Sequence, residues 1–229
     1  MQHENNPQVT TKHVFIVTYG RSGSTLLQKL LNSSEGVCIR GENNDVLLGL
    51  VKSWSAFARE KEVYHLRRSK KVVRDDHPWY GINLSNGETF GRHLAEIFTR
   101  DVLFPPENTL ISGFKEIRWH REPEWFEARM DFLKTFFVDA KFIINTRNHE
   151  DVARSSWWKT MPRDEVLAQL GAAEDLYLNW QSRHPEISCH LHFDDYVADP
   201  SRLKPAFDLI GLPFSRERME SVLQTRLQH

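Results

Sequence analysis

Apolar residues of this chain fall into short runs that alternate with longer amphipathic stretches. Three runs combine β-branched and aromatic residues and predict buried strands, at residues 13–18 (HVFIVT), 109–114 (TLISGF) and 141–145 (KFIIN). Residues 37–40 and 187–193 predict two more strands. Apolar residues at helical spacing predict helices over residues 25–32, 44–59, 88–101, 123–137, 149–158, 163–181, 200–210 and 215–227.

The order of these elements predicts the fold class. Strands that alternate with helices form right-handed crossovers, which give a mostly parallel central sheet with helices on both faces. We therefore expect a single α/β domain over residues 13–229, preceded by a flexible N-terminal segment over residues 1–12. Residues 60–87 are charged and irregular, and we interpret them as an insertion on the substrate side of the sheet, because functional lids are often built this way.

Composition narrows the class of partner. The 229 residues carry a formal net charge of -1, so no global field favours nucleic acid or an anionic membrane. The longest apolar runs are too short to cross a bilayer, and the polar N-terminus does not resemble a signal peptide. Cys38 and Cys189 form neither a metal cluster nor a disulfide framework, so reduced thiols are expected. We expect a cytoplasmic protein, or the soluble catalytic part of an anchored one.

The strongest local motif is a strand, a polar loop and a helix, with the loop at residues 18–25 (TYGRSGST). Phosphate binding needs backbone N–H groups and a helix N-terminus that face the anion. Gly20 and Gly23 permit a tight turn, and Arg21 supplies a fixed positive charge. The lysine of a nucleoside-triphosphate loop is absent, which weakens a kinase or ATPase interpretation. A plain strand–turn–helix with a serine cap is the alternative.

Residues 18–27 (TYGRSGSTLL) resemble the 5'-phosphosulfate loop of the sulfotransferases that use 3'-phosphoadenosine 5'-phosphosulfate (PAPS). Arginine at the basic position, rather than lysine, is closer to the carbohydrate and protein-tyrosine branches than to the cytosolic small-molecule branch. The resemblance implies a P-loop-like nucleotide-binding fold, with PAPS as donor and 3'-phosphoadenosine 5'-phosphate (PAP) as product. It also implies five donor-binding residues: Arg21, Ser22, Gly23, Ser24 and Thr25.

A second strand, turn and helix follows over residues 142–155 (FIINTRNHEDVARS). Arg147 lies just beyond the strand, where ligands of open α/β sheets bind, and Ser155 is expected about two turns into the next helix. A guanidinium and a hydroxyl suit a phosphomonoester, although an ion pair of Arg147 with Glu150 or Asp151 explains the residues equally well. The Arg and the Ser eight positions later resemble the family's 3'-phosphate site, and the resemblance assigns both to the donor.

The acceptor has to lose a proton as it attacks, and a side chain within hydrogen-bond reach can take it. Glu42 lies in residues 37–45 (VCIRGENND), and this order resembles the protein-tyrosine and several carbohydrate sulfotransferases. The resemblance assigns Glu42 as general base, and a charge that favours the following helix N-terminus is the alternative. In the small-molecule branch the base is a histidine two residues beyond a lysine, and Ile117 occupies that place here.

Lys115 matches the family's lysine, and the resemblance assigns it to the oxygen that becomes negative as the S–O bond breaks. The expected catalytic set is therefore Glu42, Lys115 and Arg21. Glu116 stays open as a second candidate base, and a surface salt bridge is the alternative role of Lys115. No metal is expected, because the eleven histidines are scattered and no carboxylate–histidine cluster stands out.

The last third of the chain also resembles the family over residues 191–214, and its apolar spacing suits core packing. Many family members carry a late, basic, Gly-rich loop over the nucleotide, whereas residues 215–229 give the pattern of a charged helix. Candidates to stack on adenine are Trp54, Trp79, Trp119, Trp157 and Trp158.

These features favour a sulfotransferase that transfers a sulfuryl group from PAPS to a hydroxyl or amine. A carbohydrate is the favoured acceptor, with a peptide or a small molecule as alternatives, in a cleft lined by residues 42–51, 60–87 and 119–125. Two other functions stay open. A P-loop nucleotide kinase would bind ATP, and a non-catalytic nucleotide-binding scaffold would have a Glu42 that faces solvent away from the cleft.

Overall fold

The computed structural model describes residues 11–68 and 73–225. Within these residues the centre is a sheet of five strands: β1 Lys12–Val17, β2 Val37–Arg40, β3 Ile111–Glu116, β4 Lys141–Thr146 and β5 Ser188–His192. The strands lie in the order β2-β3-β1-β4-β5, and every neighbouring pair is parallel. The α/β class with a parallel sheet is confirmed.

Helices cover both faces of the sheet. In the described part of the chain the α-helices are α1 Ser24–Asn32, α2 Val46–Ala58, α3 Lys61–Arg68, α4 Gly87–Ile97, α5 Phe126–Phe136, α6 His149–Ala153, α7 Arg163–Ser182, α8 Phe193–Ala198, α9 Lys204–Ile210 and α10 Arg216–Gln224. A π-helical segment, Phe98–Leu103, continues α4. Short 3₁₀ turns lie at Ile82–Leu84, Pro123–Trp125, Ser156–Thr160 and Pro200–Leu203.

Side chains of β1 alternate between two apolar cores, because successive residues of a strand point to opposite faces. Val14 and Ile16 enter the core beneath α1, α9 and α10, whereas Phe15 and Val17 enter the core beneath α2, α4, α5 and α7. Burial of each such side chain contributes roughly 1.5–3 kcal/mol. Because both faces are covered, the strand is a continuous apolar run, as is typical of parallel sheets.

The strand order creates a switch point at the carboxyl edge of the sheet. The chain leaves β1 toward β2 on one side and leaves β4 toward β5 on the other side. Because β1 and β4 are neighbours, the connections that follow them run in opposite directions and leave a crevice between their loops. Open α/β sheets bind their ligands at such a crevice.

The prediction of one helix over residues 149–158 is wrong in its length. α6 ends at Ala153, and Ser155 is extended, with φ -108° and ψ 135°. Ser156 then turns through a positive φ of 53°. This break lets Trp158 turn inward, where its Nε1 donates to the Gly20 carbonyl at 3.0 Å. A tertiary contact therefore ends the helix earlier than its local pattern predicts.

The proposed insertion, residues 60–87, is partly helical rather than irregular. Arg67 of α3 donates to the Phe57 carbonyl at 2.5 Å and to Ser85 Oγ at 2.8 Å. These contacts lie at the C-terminal end of α2, about 17 Å along the helix axis from Val46 at its start, given a rise of ~1.5 Å per residue. The substrate-side role of this segment stays a prediction, and residues 69–72 lie outside the described residues.

Both ends of the chain extend beyond the described residues. Of the N-terminal segment expected at residues 1–12, residues 1–10 lie outside them, and Lys12 already begins β1. At the other end α10 packs through Met219, which is fully buried, and Arg218 donates to Ser34 Oγ at 3.2 Å. Residues 226–229 lie outside the described part. The domain bounds therefore stay a prediction.

Candidate active site

The loop after β1 presents its backbone to the switch point. Arg21 and Gly23 lie in the left-handed region, with φ of 68° and 78°. Gly23 is the N-cap of α1, and no side chain caps this helix. First-turn N–H groups of a helix need acceptors, and left-handed turns at such an end form an anion-binding concavity. A left-handed arginine costs about 1–3 kcal/mol, so other contacts must hold the loop in this shape.

Buried hydrogen bonds hold the loop. Thr18 Oγ1 donates to the Asn145 carbonyl at 2.7 Å and lies 2.6 Å from Ser22 Oγ. Asn145 Nδ2 donates to the Ser22 carbonyl at 3.0 Å. Ser22 is fully buried in this network, and it is not among the residues that line the cleft described below. The assignment of Ser22 to the donor therefore stays a prediction from the resemblance.

The two glycines of the loop admit aromatic rings that a side chain would exclude. A Cβ at Gly20 would lie 2.4 Å from the Trp157 ring, and a Cβ at Gly23 would lie 2.0 Å from the Phe193 ring. Carbon atoms pack at about 3.5–4.0 Å, so neither position accepts a larger residue without movement. Trp157 and Phe193 therefore form walls on two sides of the loop.

Arg147 follows β4 directly and presents a positive charge to the same crevice. Its guanidinium lies 4.6 Å from the centre of the Phe193 ring. Its Nη1 donates to the Arg21 carbonyl at 3.3 Å, and its Nε is buried without a hydrogen-bond partner. An unpaired buried donor of a cation is costly, so this geometry favours an anionic ligand.

The ion pairs considered as an alternative for Arg147 do not form. Glu150 pairs with Arg163, and Asp151 pairs with Arg154 at 2.7 Å. Among the described residues Arg147 makes no ion pair with a carboxylate within 4.0 Å. The local sequence offers two acids, but in the structure both pair with other arginines.

Arg21 connects the loop after β1 with the segment after α6. Its Nε donates to Ser155 Oγ at 3.1 Å. The sequence predicts Ser155 two turns into a helix, whereas the residue is extended; its hydroxyl contacts Arg21, which lines the crevice, although Ser155 itself does not. Arg21, Arg147 and Ser155 thus form one cluster, although Arg21 is more than 120 positions from the other two in the chain.

Lys115 and Glu42 form an ion pair at the base of the crevice. β3 continues through Glu116, so Lys115 is a strand residue whose side chain is only 6% exposed. Its Nζ donates to Glu42 Oε1 at 2.7 Å, while Arg118 Nη1 donates to Glu42 Oε2 at 3.1 Å. Glu42 is 32% exposed and therefore reachable by a ligand. The surface salt bridge considered as the alternative for Lys115 is not what the structure contains.

Glu116 has a different environment from Glu42. It is 1% exposed, and each carboxylate oxygen accepts two hydrogen bonds. Oε1 accepts from the Ile117 N–H and from Arg118, both at 2.7 Å. Oε2 accepts from the N–H groups of Asn43 at 3.4 Å and Asp45 at 3.1 Å. A carboxylate that is enclosed and saturated in this way is poorly suited to take a proton from an acceptor.

A buried ion pair fixes the loop that carries Glu42. Asn44 and Asp45 both have left-handed φ, at 56° and 57°. The Asp45 carboxylate accepts from Arg129 Nη1 at 3.2 Å, and Arg129 is fully buried. Burial raises the pKa of Asp45. No motif of the sequence gives either residue a role, yet the pair anchors the start of α2 to α5 and so positions Glu42.

One cleft of about 580 Å³ joins these groups. Its lining includes seven of the residues expected from the sequence: Arg21, Gly23, Ser24, Thr25, Glu42, Lys115 and Arg147. Arg118 and Arg121 raise the number of basic side chains to five, against one carboxylate, so the cleft is suited to an anion. Phe193 also lines it, although the sequence analysis had counted this residue as structural.

The tryptophans considered as adenine partners lie in different places. Trp157 is half exposed and lines the cleft. Trp54 and Trp119 are buried in the apolar core, and Trp79 lies at the surface within residues 60–87. The rings that face the cleft are thus those of Trp157 and Phe193.

Residues 11–68 and 73–225 contain neither a candidate metal cluster nor a candidate membrane span. No group of three or more His, Cys, Asp or Glu residues there could hold a metal ion. No helix in the same residues is long and apolar enough to span a membrane. Cys38 and Cys189 are both unpaired thiols. The positive charge of the cleft is carried by arginine and lysine.

Comparison with known proteins places the chain in a family. The model described as "Sulfotransferase family" matches residues 13–216. No curated protein matches the sequence significantly. The sulfotransferase domain of the Synechococcus PCC 7002 olefin synthase superposes with a TM-score of 0.58 at 16% identity, over 99% of this chain and 82% of that chain.

A second solved structure has a similar backbone. The sulfotransferase domain from the curacin biosynthetic pathway gives a TM-score of 0.56 at 18% identity, over 94% of this chain and 79% of that chain. At these identities the structural likeness supports the fold alone. The family match spans most of the sequence and includes both loops of the cleft. The chain therefore belongs to the sulfotransferase family of enzymes.

Proposed function

We propose that this protein transfers the sulfuryl group of PAPS to a hydroxyl or amine of an acceptor, with Glu42 as general base. The observation that carries the proposal is the arrangement within one cleft of about 580 Å³. Arg21 and Arg147 lie at the switch point, and the Lys115–Glu42 pair lies beside them. This arrangement suits a nucleotide with two anionic ends and a reactive group next to a carboxylate.

The residues present fit such a donor. The uncapped start of α1, with left-handed Arg21 and Gly23, suits the 5'-phosphosulfate. The Arg147 Nε that lacks a protein partner, together with the Ser155 hydroxyl, suits the 3'-phosphate, because a phosphate oxygen would satisfy the buried donor. Phe193 and Trp157 offer ring faces to the base. When bound, the donor supplies an activated sulfuryl group.

In this proposal Glu42 takes the proton of the acceptor. Its carboxylate lines the cleft, whereas the Glu116 carboxylate is enclosed by four donors. A bond forms between the acceptor oxygen and sulfur while the bond between sulfur and the phosphate oxygen breaks, and the electron pair stays on that phosphate oxygen. The products are the sulfated acceptor, PAP and a proton, which Glu42 later releases to water.

Lys115 stabilises the negative charge of the leaving oxygen. Its ammonium group is almost enclosed, where charge interactions are stronger than in water. Because Lys115 Nζ lies 2.7 Å from Glu42, the base and the cation act on neighbouring oxygens. Arg21 adds charge to the same region. Positioning and charge stabilisation then carry most of the rate, by analogy with phosphoryl transfer.

The class of acceptor is less constrained by this cleft. The preference for carbohydrate rests on the resemblance of residues 40–42 (Arg-Gly-Glu) to two branches of the family. Arg40 donates to the carbonyls of Leu103 at 2.8 Å and Phe104 at 2.6 Å, so its side chain holds β2 rather than an acceptor. A carbohydrate acceptor and a cytoplasmic location stay predictions from the sequence.

Calorimetric titration with PAP and with ATP tests the proposed function. We expect micromolar binding of PAP and binding of ATP that is at least about tenfold weaker, since ATP lacks the 3'-phosphate and the loop lacks the lysine of nucleoside-triphosphate sites. Binding of ATP without binding of PAP would favour a P-loop kinase. A protein that binds neither nucleotide would contradict the proposal.

A further inference from the structure

A second cavity adjoins the cleft described above. It has a volume of about 850 Å³, which falls within the usual range of small-molecule sites. The cleft and the second cavity share four lining residues: Gly20, Ile117, Arg121 and Trp157. A molecule in the second cavity can therefore touch a nucleotide in the cleft.

The walls of the second cavity are largely apolar. Trp158 and Met161 line it on the side of the segment after α6. Ala173 and Leu176 line it on the side of α7, and Pro123 closes it from the loop after β3. Removing apolar ligand surface from water against such walls contributes about 25 cal/mol per Å². The cavity therefore favours a ligand with an apolar body.

Charge in the second cavity is confined to its rim. Apart from His120, the polar side chains that line the cavity are exposed: Arg121, Gln169 and Asp175. Inside, burial lowers the pKa of His120 to about 4, and its Nδ1 lies 3.1 Å from the Tyr177 hydroxyl, so the ring is neutral at pH 7. A sugar would leave several hydroxyls unpaired against these walls, which costs about 1–3 kcal/mol for each one.

Ile117 marks the junction of the two spaces. It follows Lys115 by two positions at the end of β3, and both side chains line the cleft, as strand alternation predicts. Ile117 has no group that can take a proton, and Glu42 is the carboxylate that lines the cleft beyond it. The Trp157 ring, packed against Gly20, forms the partition on the other side.

We propose that the second cavity binds the acceptor and that the acceptor is an alcohol or phenol with a largely apolar body. This inference rests on the sulfuryl transfer proposed above. The apolar body lies between α7 and the segment after α6, and the hydroxyl reaches past Ile117 to Glu42, which takes its proton as the new O–S bond forms. The expected acceptor is thus no longer a carbohydrate.

Two substitutions at the rim test the inference. Ala172→Trp and Gln169→Trp add bulk at exposed residues that line the second cavity but not the cleft. Ala198→Trp, at the exposed C-terminal end of α8, is the matched control because Ala198 lines neither space. Each protein is titrated with PAP and then, saturated with PAP, with 2-naphthol or methyl β-glucoside as the probe.

The inference predicts equal PAP affinity in all four proteins. It predicts that the dissociation constant of 2-naphthol rises at least about tenfold in both rim variants and is unchanged in the control. Three results would overturn it while PAP still binds: no binding of 2-naphthol to the wild type, unchanged binding in both rim variants, or tighter binding of the glucoside. Loss of PAP binding in the wild type would instead refute the proposed transfer reaction, and this inference with it.

Discussion

Two loops at the carboxyl edge of the sheet have similar backbones and different tasks. The loop after β1 turns through left-handed Arg21 and Gly23, and the loop after β2 turns through left-handed Asn44 and Asp45. Each loop leads into a helix whose N-cap residue makes no side-chain hydrogen bond to the first turn, although Asn43 Oδ1 accepts from the Val46 N–H of α2 at 3.1 Å. Both therefore offer backbone N–H groups that need an acceptor.

The loops differ in what accepts those N–H groups. In the loop after β2, the N–H groups of Asn43 and Asp45 donate to the buried Glu116 carboxylate. The loop after β1 has no equivalent carboxylate among the described residues, and basic side chains including Arg147 and Lys115 share its cleft. The same turn geometry is structural where the chain supplies the anion. It is a candidate ligand site where no carboxylate of the described residues accepts from the loop and basic side chains predominate.

The largest effect is expected at Glu42, the carboxylate that the second loop exposes to the cleft. Glu42→Gln should lower the rate of PAP release from PAPS, with 2-naphthol as acceptor, by about 10²–10⁴-fold, because the variant cannot take a proton. PAP affinity should stay within about threefold, as Glu42 does not contact the proposed phosphate cluster. The exposed Glu124 supplies the control Glu124→Gln. A Glu42→Gln rate equal to that of the control would contradict the assignment.

The buried carboxylate should instead determine stability. Glu116→Gln removes the charge that accepts from Arg118 and from two loop N–H groups. The free energy of unfolding should fall by about 3 kcal/mol, as for other broken buried ion pairs. Urea denaturation measures this change. An unchanged unfolding midpoint together with a large loss of rate would mean that Glu116, not Glu42, is the base.

A smaller effect is expected at the serine that joins the two phosphate loops. Ser155→Ala removes the hydroxyl that accepts from Arg21 and should weaken PAP binding about fivefold, the equivalent of one hydrogen bond of ~1 kcal/mol. Adenosine 5'-monophosphate (AMP), which lacks the 3'-phosphate, should bind both proteins equally. Ser182→Ala, at the exposed end of α7, serves as control. Equal losses for PAP and AMP would place Ser155 away from the 3'-phosphate.

The last effect concerns the pH dependence of stability. Burial, with the charges of Arg121 and Arg129, lowers the pKa of His120 from 6.5 to about 4. Between these values the unfolded chain binds a proton that the folded chain does not, so the free energy of unfolding falls as pH falls from 6.5 toward 4. Thermal unfolding of His120→Gln should depend less steeply on pH across this window than that of the wild type. Parallel curves would mean that His120 is not protected from protonation.

The fold and the positions of the main site residues could be predicted from local patterns. The run at residues 13–18 is apolar on both faces, which is the pattern of a central parallel strand. Gly20 and Gly23 occupy the positions where the backbone approaches aromatic rings closely, and no other residue fits there. Such requirements act within one segment of the chain, so they can be recognised from the sequence of that segment.

Other features depend on contacts between segments that are distant in the chain, so the local sequence pattern predicts them less well. The helix after β4 ends early because Trp158 bonds to Gly20, across 138 positions of sequence. Arg129 lies one turn from Phe126 and Leu133 on the buried face of α5, and a lone arginine on an apolar face could have indicated a buried partner. Its partner Asp45 could not be identified without the sheet order. Phe193 fits the apolar core pattern of residues 191–214, and only the fold brings it to the cleft.

The most direct test of the account is a cycle that combines two ligands with two proteins. Calorimetry gives the dissociation constants of PAP and AMP for the wild type and for Arg147→Ala, with Arg154→Ala, which removes an exposed arginine nearby, as control. The account predicts that the wild type and the control bind PAP at least about tenfold more tightly than AMP, because a charge-assisted hydrogen bond contributes ~1.5–3 kcal/mol. This preference for PAP should disappear in Arg147→Ala. An equal preference for PAP in all three proteins would contradict the assignment of Arg147 to the 3'-phosphate, and with it the orientation of the donor in the cleft.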